Sequence, residues 1–448
     1  MPDTSFKQAP LSDIILASAQ NVQAVLAGRS LSDSLAETPT ALRAPAQAVS
    51  FHVMRRLGLA RAVKQILVRR TPPNPLFDAV LLVSLTLLDT ALEHTDDAPV
   101  NSSAVHRKPV YAVHTVVDQA VSAVDSQKKM RAYKALLNGS LRSFIRERPA
   151  ILAQAQENQE AVFNHPDWWV ARLRRTYPDQ WRALLEAADV PGPMALRVNT
   201  RLTSVQAVQG ALEAAGIAAV PTGGPGLVLL TPRPVQAVPG FEEGWWSVQD
   251  LAAQQAGALL PLRDGMRVLD ACAAPGGKTA HILERAEVEL LALDSDPLRL
   301  ARVGQNLRRL RLDRPGVTTH CADVADLKAW WDGKPFDAVL ADVPCTASGV
   351  VRRHPDIRWL RREADLAKTA ALQRKIIDSL WQTVKPGGHL LYATCSIFPQ
   401  EGEHQATRFL ERHNDAVRLP APGQLLPLTD DTLVSHDGFF YALFAKTA

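Results

Sequence analysis

Val268-Leu269-Asp270-Ala271-Cys272-Ala273-Ala274-Pro275-Gly276-Gly277-Lys278-Thr279 runs from an apolar, strand-like segment through a glycine-rich turn into a helix-forming segment. That is the context in which an open α/β sheet binds a ligand beyond the carboxyl ends of its strands. Gly276 and Gly277 allow positive φ and a close backbone approach. Gly277-Lys278-Thr279 superficially resembles a phosphate-binding loop, but Cys272 replaces its first glycine and Pro275 removes an N–H that a phosphate cradle would use. A dinucleotide fingerprint also fails, because Gly-x-Gly is absent. A ligand with an adenosine but no phosphates suits the turn better.

Downstream, strand and helix signals alternate in the βαβ manner. The strand candidates are Arg267–Asp270, Leu290–Asp294, Val317–Cys321, Phe336–Ala341, His389–Ala393 and Phe439–Phe444. Helices are expected over Thr279–Glu284, Pro297–Arg311, Glu363–Val384 and Gln400–His413, with Pro297 opening one where a missing N–H is harmless. Pro386-Gly387-Gly388 is expected to stop the long helix before the fifth strand. A doubly wound α/β domain over 241–448 follows. Asp294, Asp323 and Asp342 recur at successive strand ends, where a single acid would more simply be a helix cap. Asp294 is placed for ribose hydroxyls, Asp323 for the adenine amino group or a neighbouring polar atom, and Asp342 for a positive centre. Together they fit S-adenosylmethionine, whose sulfonium is cationic. Cys345 and Cys395 close two of the strand candidates and face the same crevice, which suggests covalent chemistry on a substrate beside that ligand.

Upstream, residues 1–145 read as helical, punctuated at Thr71–Pro75 and Asp96–Pro99, and Val80–Leu88 reads as a buried helix. Glu147–Glu160 looks like a polar helical connector. Residues 146–240 combine that linker with helical spacing of Trp168, Trp169, Leu173, Tyr177, Trp181 and Leu184, a strand at Ala195–Asn199, a helix at Ser204–Ala215 and an apolar run at Leu227–Leu230. A hydrophobic share of 46% and a charged share of 21% suit a globular chain able to build real cores. The formal charge is +6 over 1–150 (18 basic, 12 acidic), zero over 151–240 (7 and 7), and −2 over 241–448 (25 and 27). A basic module joined to a near-neutral one fits a polyanion held by one part and modified by another. Four dispersed cysteines without a Cys/His cluster argue against a disulfide framework or any metal site. Reduced thiols, no signal peptide at Met1–Lys7 and no membrane-length apolar stretch give the expectation of a cytoplasmic monomer without a membrane partner.

Asp-Ala-Cys-Ala-Ala-Pro-Gly-Gly-Lys-Thr (270–279), Asp-Val-Pro-Cys (342–345), Arg-His-Pro-Asp (353–356) and Ala-Thr-Cys-Ser (393–396) resemble the Sun family of RNA cytosine-C5 methyltransferases. The resemblance continues through Leu196–Asn199, Ser247–Asp250 and Asp437–Phe440, so it covers nearly the whole chain. Leu137–Arg142 and the helical third around it look like the NusB-type RNA-binding domain of the bacterial members that act on 16S rRNA. The fold implied is a Rossmann-like class I methyltransferase domain, an all-α NusB-like N-terminal domain, and a small α+β connecting domain that also binds RNA. The resemblance implies that Cys272, Ala273, Ala274, Pro275, Gly276, Gly277, Lys278, Asp294, Asp323 and Asp342 bind S-adenosylmethionine. It also implies that Cys395 is the nucleophile and Cys345 assists product release. Val343 stands where the family usually has alanine, and Gly402 where asparagine is common.

The expected activity is methylation of one 16S rRNA cytosine at C5 through a thiol adduct at C6, with ribosomal RNA, free or partly assembled, as the partner. Lys278 or strand-end polar groups can lower the thiol pKa, and Asp342 can hydrogen-bond the base to favour addition. The alternatives are a tRNA or DNA C5-methyltransferase, the DNA enzymes using the Pro-Cys thiol (here Cys345), and an inactive RNA-binding assembly or antitermination factor. Cys272 and Cys321 are expected to be small buried side chains. Arg352, Arg353, Arg358, Arg361 and Arg362 are candidates for phosphate contacts, with a solvated helix start as the alternative.

Overall fold

The computed structural model describes residues 9–70, 72–95, 108–428 and 434–447; the punctuation at Asp96–Pro99 and the Met1–Lys7 segment fall outside them. The chain divides into two compact units, Met1–Asp189 with His354–Arg361, and Val190–Arg353 with Arg362–Ala448.

The first unit is helical among its described residues, from Leu11–Leu26 to Trp181–Asp189. Its central helix, Pro75–Thr95, is apolar enough to cross a membrane by length and composition, yet 78% of that window is buried. Val80, Val83, Leu87 and Leu88 sit in the core it organises, as the sequence suggested. The expected connector Glu147–Glu160 comprises the second half of the helix Lys134–Ala155, which kinks at Glu147 (φ −116°) just before Pro149, a turn, and the start of the helix Gln159–Phe163. Proline withholds one helical N–H and crowds the preceding turn, which accounts for the kink. Trp169 and Trp181 are buried and Trp168 half-buried, so these rings pack rather than lie free. Arg358 corrects the phosphate-contact expectation. Fully buried, it donates to Asp189 Oδ1 (2.6 Å), Ala188 O (2.7 Å) and Asn164 O (3.1 Å).

The second unit carries β1 (Met194–Val198), β2 (Ala219–Pro221), β3 (Gly226–Leu229) and β4 (Trp246–Val248), an antiparallel sheet in the order β2-β3-β1-β4. It continues with β5 (Arg267–Asp270), β6 (Glu289–Asp294), β7 (Val317–Cys321), β8 (Phe336–Asp342), β9 (Val384–Thr394), β10 (Ala416–Leu425) and β11 (Phe439–Lys446). These seven strands form one sheet in the order β10-β11-β9-β8-β5-β6-β7. β5 pairs in parallel with both β6 and β8, and β9 pairs in parallel with β8. Helices Gly277–Arg285, Pro297–Arg309 and Glu363–Thr383 link the parallel strands, giving the expected doubly wound architecture. Asp296 caps the second of these at Leu298 N (2.8 Å), and Pro297 opens it as anticipated.

Two further expectations need correction. Pro386-Gly387-Gly388 does not end a helix: the helix stops at Thr383, and these residues form a bulge inside β9, where pairing jumps from Phe336↔Val384 to Ala338↔His389. Cys321 is exposed, because β7 is an outermost strand with polar side chains. β10 lay beyond the sequence reading because Pro420 and Pro422 interrupt it. It is tolerated as the other edge strand, with a register shift between Leu419 and Gly423.

Arg358→Ala would strand three buried or half-buried acceptors. We expect a loss of about 3 kcal/mol from the helical unit, read as a lower urea midpoint by circular dichroism.

Candidate active site

β5 ends at Asp270 and the chain turns sharply through Pro275 and Gly276 into the helix Gly277–Arg285. Gly276 adopts φ +99°, and a Cβ there would lie 3.0 Å from the Val303 backbone, so no other residue fits without strain. Thr279 Oγ1 donates to Asp270 Oδ2 (2.6 Å), while Asp270 Oδ1 has no hydrogen-bond partner. Burial pushes the Asp270 carboxyl up to about 7; the Thr279 hydrogen bond opposes this, and the charge of Asp342 adds to it.

The turn is held from the small sheet. Arg197 on β1 is fully buried and grips Glu284 with two hydrogen bonds of 2.8 Å. It also donates to Gln249 and, at 2.8 Å, to the Gly277 carbonyl. A second buried cluster joins Asp437 to Arg352 (2.6 Å) and Arg353, and Arg353 to Asp250 (2.8 Å). Arg352 and Arg353 therefore act inside the protein, a further correction to the phosphate-contact expectation. The stretches Leu196–Asn199, Ser247–Asp250 and Asp437–Phe440 supply both clusters.

A cavity of about 480 Å³ opens at the ends of β6, β5, β8 and β9. Cys272, Ala274, Asp294, Asp323, Asp342, Cys345 and Cys395 line it; Ala273, Pro275, Gly276, Gly277 and Lys278 do not. Asp294 accepts from Ala274 N (3.1 Å) and Asp296 N (3.0 Å), which fixes its carboxylate against the turn. Asp323 is exposed and accepts from Ala325 N (2.9 Å). Lys278 reaches Asp342 Oδ2 at 2.6 Å. Burial alone would lower the Lys278 pKa, but the Asp342 carboxylate outweighs it and the net shift is upward, so this ammonium stays charged. Three carboxylates around one cavity, Asp342 on Lys278 and Asp294 with Arg299 4.0 Å away, form a set that fits a cationic ligand carrying hydroxyls.

Cys345 Sγ and Cys395 Sγ lie 3.3 Å apart. Ala347 N donates to Cys345 Sγ at 3.4 Å. The hydrogen bond with Cys395, then burial, push the Cys345 thiol well up. Cys272 is half-buried, and desolvation raises its thiol too. Gly349 N donates to Cys395 O (2.9 Å), anchoring that loop. A Cβ at Gly402 would come 2.9 Å from the Phe440 ring, which explains glycine at this position. Arg299, Leu372 and Ile376 also line the cavity and were missed. Leu372 and Ile376 share a helix face by spacing, but only the fold says which face turns inward. Among the described residues no three His, Cys, Asp or Glu side chains cluster as metal ligands would.

Residues 257–445 match the family described as 16S rRNA methyltransferase RsmB/F, and 165–236 match the ferredoxin-like domain of RsmF/B-like methyltransferases. The ribosomal RNA small subunit methyltransferase B of Vibrio cholerae serotype O1 is 40% identical over 438 residues, spanning 95% of each chain. Its namesake in Erwinia tasmaniensis is 43% identical over 342 residues, 74% of this chain and 78% of that one. The crystal structure of a methyltransferase homolog protein from Pyrococcus horikoshii is 26% identical, covering 64% of this chain and 97% of its own, with a TM-score of 0.55.

Gly276→Ala should weaken S-adenosylmethionine binding at least about tenfold in calorimetry, because the turn must abandon its positive φ. Asp270 gives a pH signature. Between about pH 4 and about 7 the folded state holds a proton that the unfolded chain has released, so stability falls as pH rises through that window. Asp270→Asn removes this slope; urea midpoints at several pH values will show it.

Proposed function

We propose that this chain, which belongs to the RsmB/F family of 16S rRNA methyltransferases and is an S-adenosylmethionine-dependent RNA methyltransferase, methylates one 16S rRNA cytosine at C5 through a covalent adduct. The observation that carries this reading is the pair of thiols 3.3 Å apart on a cavity ringed by Asp294, Asp323 and Asp342. Bound S-adenosylmethionine supplies an electrophilic methyl group on a sulfonium.

Cytosine C5 is too weak a nucleophile unaided. The Cys395 thiolate adds to C6, breaking the C5=C6 π bond and making C5 enamine-like and reactive toward the methyl group. Asp342 is assigned the hydrogen bond to the cytosine edge that favours addition, with Lys278 holding its carboxylate in place. Asp294 is assigned the ribose hydroxyls, Asp323 the adenine side, and Cys272 to Lys278 the remaining contacts of the turn. After transfer the C5 proton leaves to a base, the C6–S pair returns to Cys395 and the double bond re-forms. Cys345 lies within reach of that elimination. The target base must be unstacked to be reached on its face and at its edge.

Residues 1–145 are assigned the role of a NusB-like RNA-holding domain, 146–240 that of a linker and small RNA-contacting domain, and 241–448 that of the catalytic domain. The net charge of +6 over 1–150 supports this. So does a cavity of about 990 Å³ between Val113–Ser126 and Lys134–Ala155, whose polar lining of His114, Arg131, Lys134, Asn138 and Arg142 outweighs the one acid, Asp118.

Cys395→Ala should abolish methyl transfer, whereas Cys345→Ala should accumulate a protein–RNA adduct that survives denaturation. The opposite pattern would make Cys345 the nucleophile. Bisulfite sequencing of RNA from cells relying on Cys395→Ala should show loss of one 16S cytosine signal, with transfer RNA unchanged.

A further inference from the structure

We propose that Glu401 is a positioning residue, whose carboxylate holds the residue after each cysteine and so sets the spacing of the two thiols. Glu401 is fully buried, in a short turn just beyond the loop that carries Cys395. Its Oε1 accepts from Thr346 N at 2.8 Å, and its Oε2 accepts from the Thr346 hydroxyl and from Ser396 Oγ at 2.7 Å. Thr346 follows Cys345 and Ser396 follows Cys395, so one carboxylate ties both cysteine loops at equivalent positions. Gln373 completes the set: its Nε2 donates to Oε1 (3.2 Å) and to Pro344 O (2.9 Å), the carbonyl before Cys345. The Glu401 backbone carbonyl accepts from Tyr392 OH (2.8 Å) and Thr394 Oγ1 (3.2 Å), which fixes the turn to the strand leading into Cys395. Ser348 Oγ meets Ser396 Oγ at 2.9 Å and joins the loops a second time.

Burying a carboxylate is unfavourable unless its lone pairs are met, and here every donor comes from the two loops or the helix and strand behind them. An apolar side chain would fill the space at less cost. What it would lose is the geometric specification of both loops by one rigid group. Among the described residues the two sulfurs meet only each other and Ala347 N as polar partners, so their 3.3 Å separation is inherited from the loops that Thr346 and Ser396 anchor.

The inference rests on the proposed division of labour between the thiols, but its primary test does not. Phenylarsine oxide bridges two neighbouring thiols, forming two As–S bonds with loss of one water. In a background with Cys321→Ser, the chain should bind it tightly through Cys345 and Cys395. Glu401→Ala should weaken this at least roughly tenfold, the worth of a hydrogen bond to a charged group, while S-adenosylmethionine affinity by calorimetry stays within about twofold. Glu401→Gln should recover most of the affinity, because Oε1 survives and both hydroxyls can rotate to accept from the new amide. In turnover, Glu401→Ala should lower kcat and accumulate the denaturation-stable adduct.

Arsenical affinity in Glu401→Ala equal to wild type would overturn the proposal, as would parallel loss of arsenical and S-adenosylmethionine binding in both Glu401 variants. Should Glu401→Ala not fold, Thr346→Val combined with Ser396→Ala removes the two hydroxyl contacts and must give the same weakening. Failure of the wild-type chain to methylate 16S rRNA would strike the functional reading and leave the arsenical result standing.

Discussion

β5 is flanked on both sides by parallel partners, β6 and β8, and this constraint governs the molecule's chemistry. The chain must leave β5 in one direction to build β6 and β7, then return across the sheet to build β8 and β9. Loops that leave in opposite directions open a crevice at the carboxyl edge. Four adjacent strand ends meet it: Asp294 after β6, the glycine-rich turn after β5, Asp342 and Cys345 after β8, and Cys395 after β9. Three strand spacings cover roughly 14 Å, which brings the acids of the cavity and the two thiols within one molecule's length.

Strand ends alone set only the height of each group. Lateral placement falls to buried polar clusters, each anchored on a different element. Arg197 reaches from the small sheet to the Gly277 carbonyl while Glu284 holds its guanidinium. Arg352 and Arg353 join Asp437 to Asp250, next to the Gly438 N–H that meets Gly349 O, whose own N–H holds Cys395 O. Glu401 then links the two cysteine loops directly. Removing one partner from such a cluster is far more damaging than never having built it. The site therefore sits on groups with little freedom, which is what reacting atoms placed a few tenths of an ångström apart in tolerance require.

Much of this was legible from residue patterns. Apolar runs ending in an acid located β5, β6 and β8 to within a residue or so, because both faces of the sheet are buried there and the run is continuous. The thiols and acids were legible because their neighbours are unusual. Readings failed where long-range packing outweighed local signal. Pro386-Gly387-Gly388 has the chemistry of a helix stop but serves as a strand bulge, since Val384 already pairs with Phe336. Arg358 sits in a run of arginines that reads as a phosphate grip, and only the fold shows its head among carbonyls. Glu401 carries no local mark at all: its partner Thr346 is 55 positions away, and an acid in a polar helix start reads as solvated surface.

The contact between the thiols also couples them. The hydrogen bond with Cys395, then burial, push the Cys345 thiol well up. Whatever occupies Cys395 Sγ, 3.3 Å away, therefore bears on the proton of Cys345. Under the proposed reaction, that contact makes the second thiol responsive to the state of the first, which two cysteines placed on separate walls of the cavity would not be.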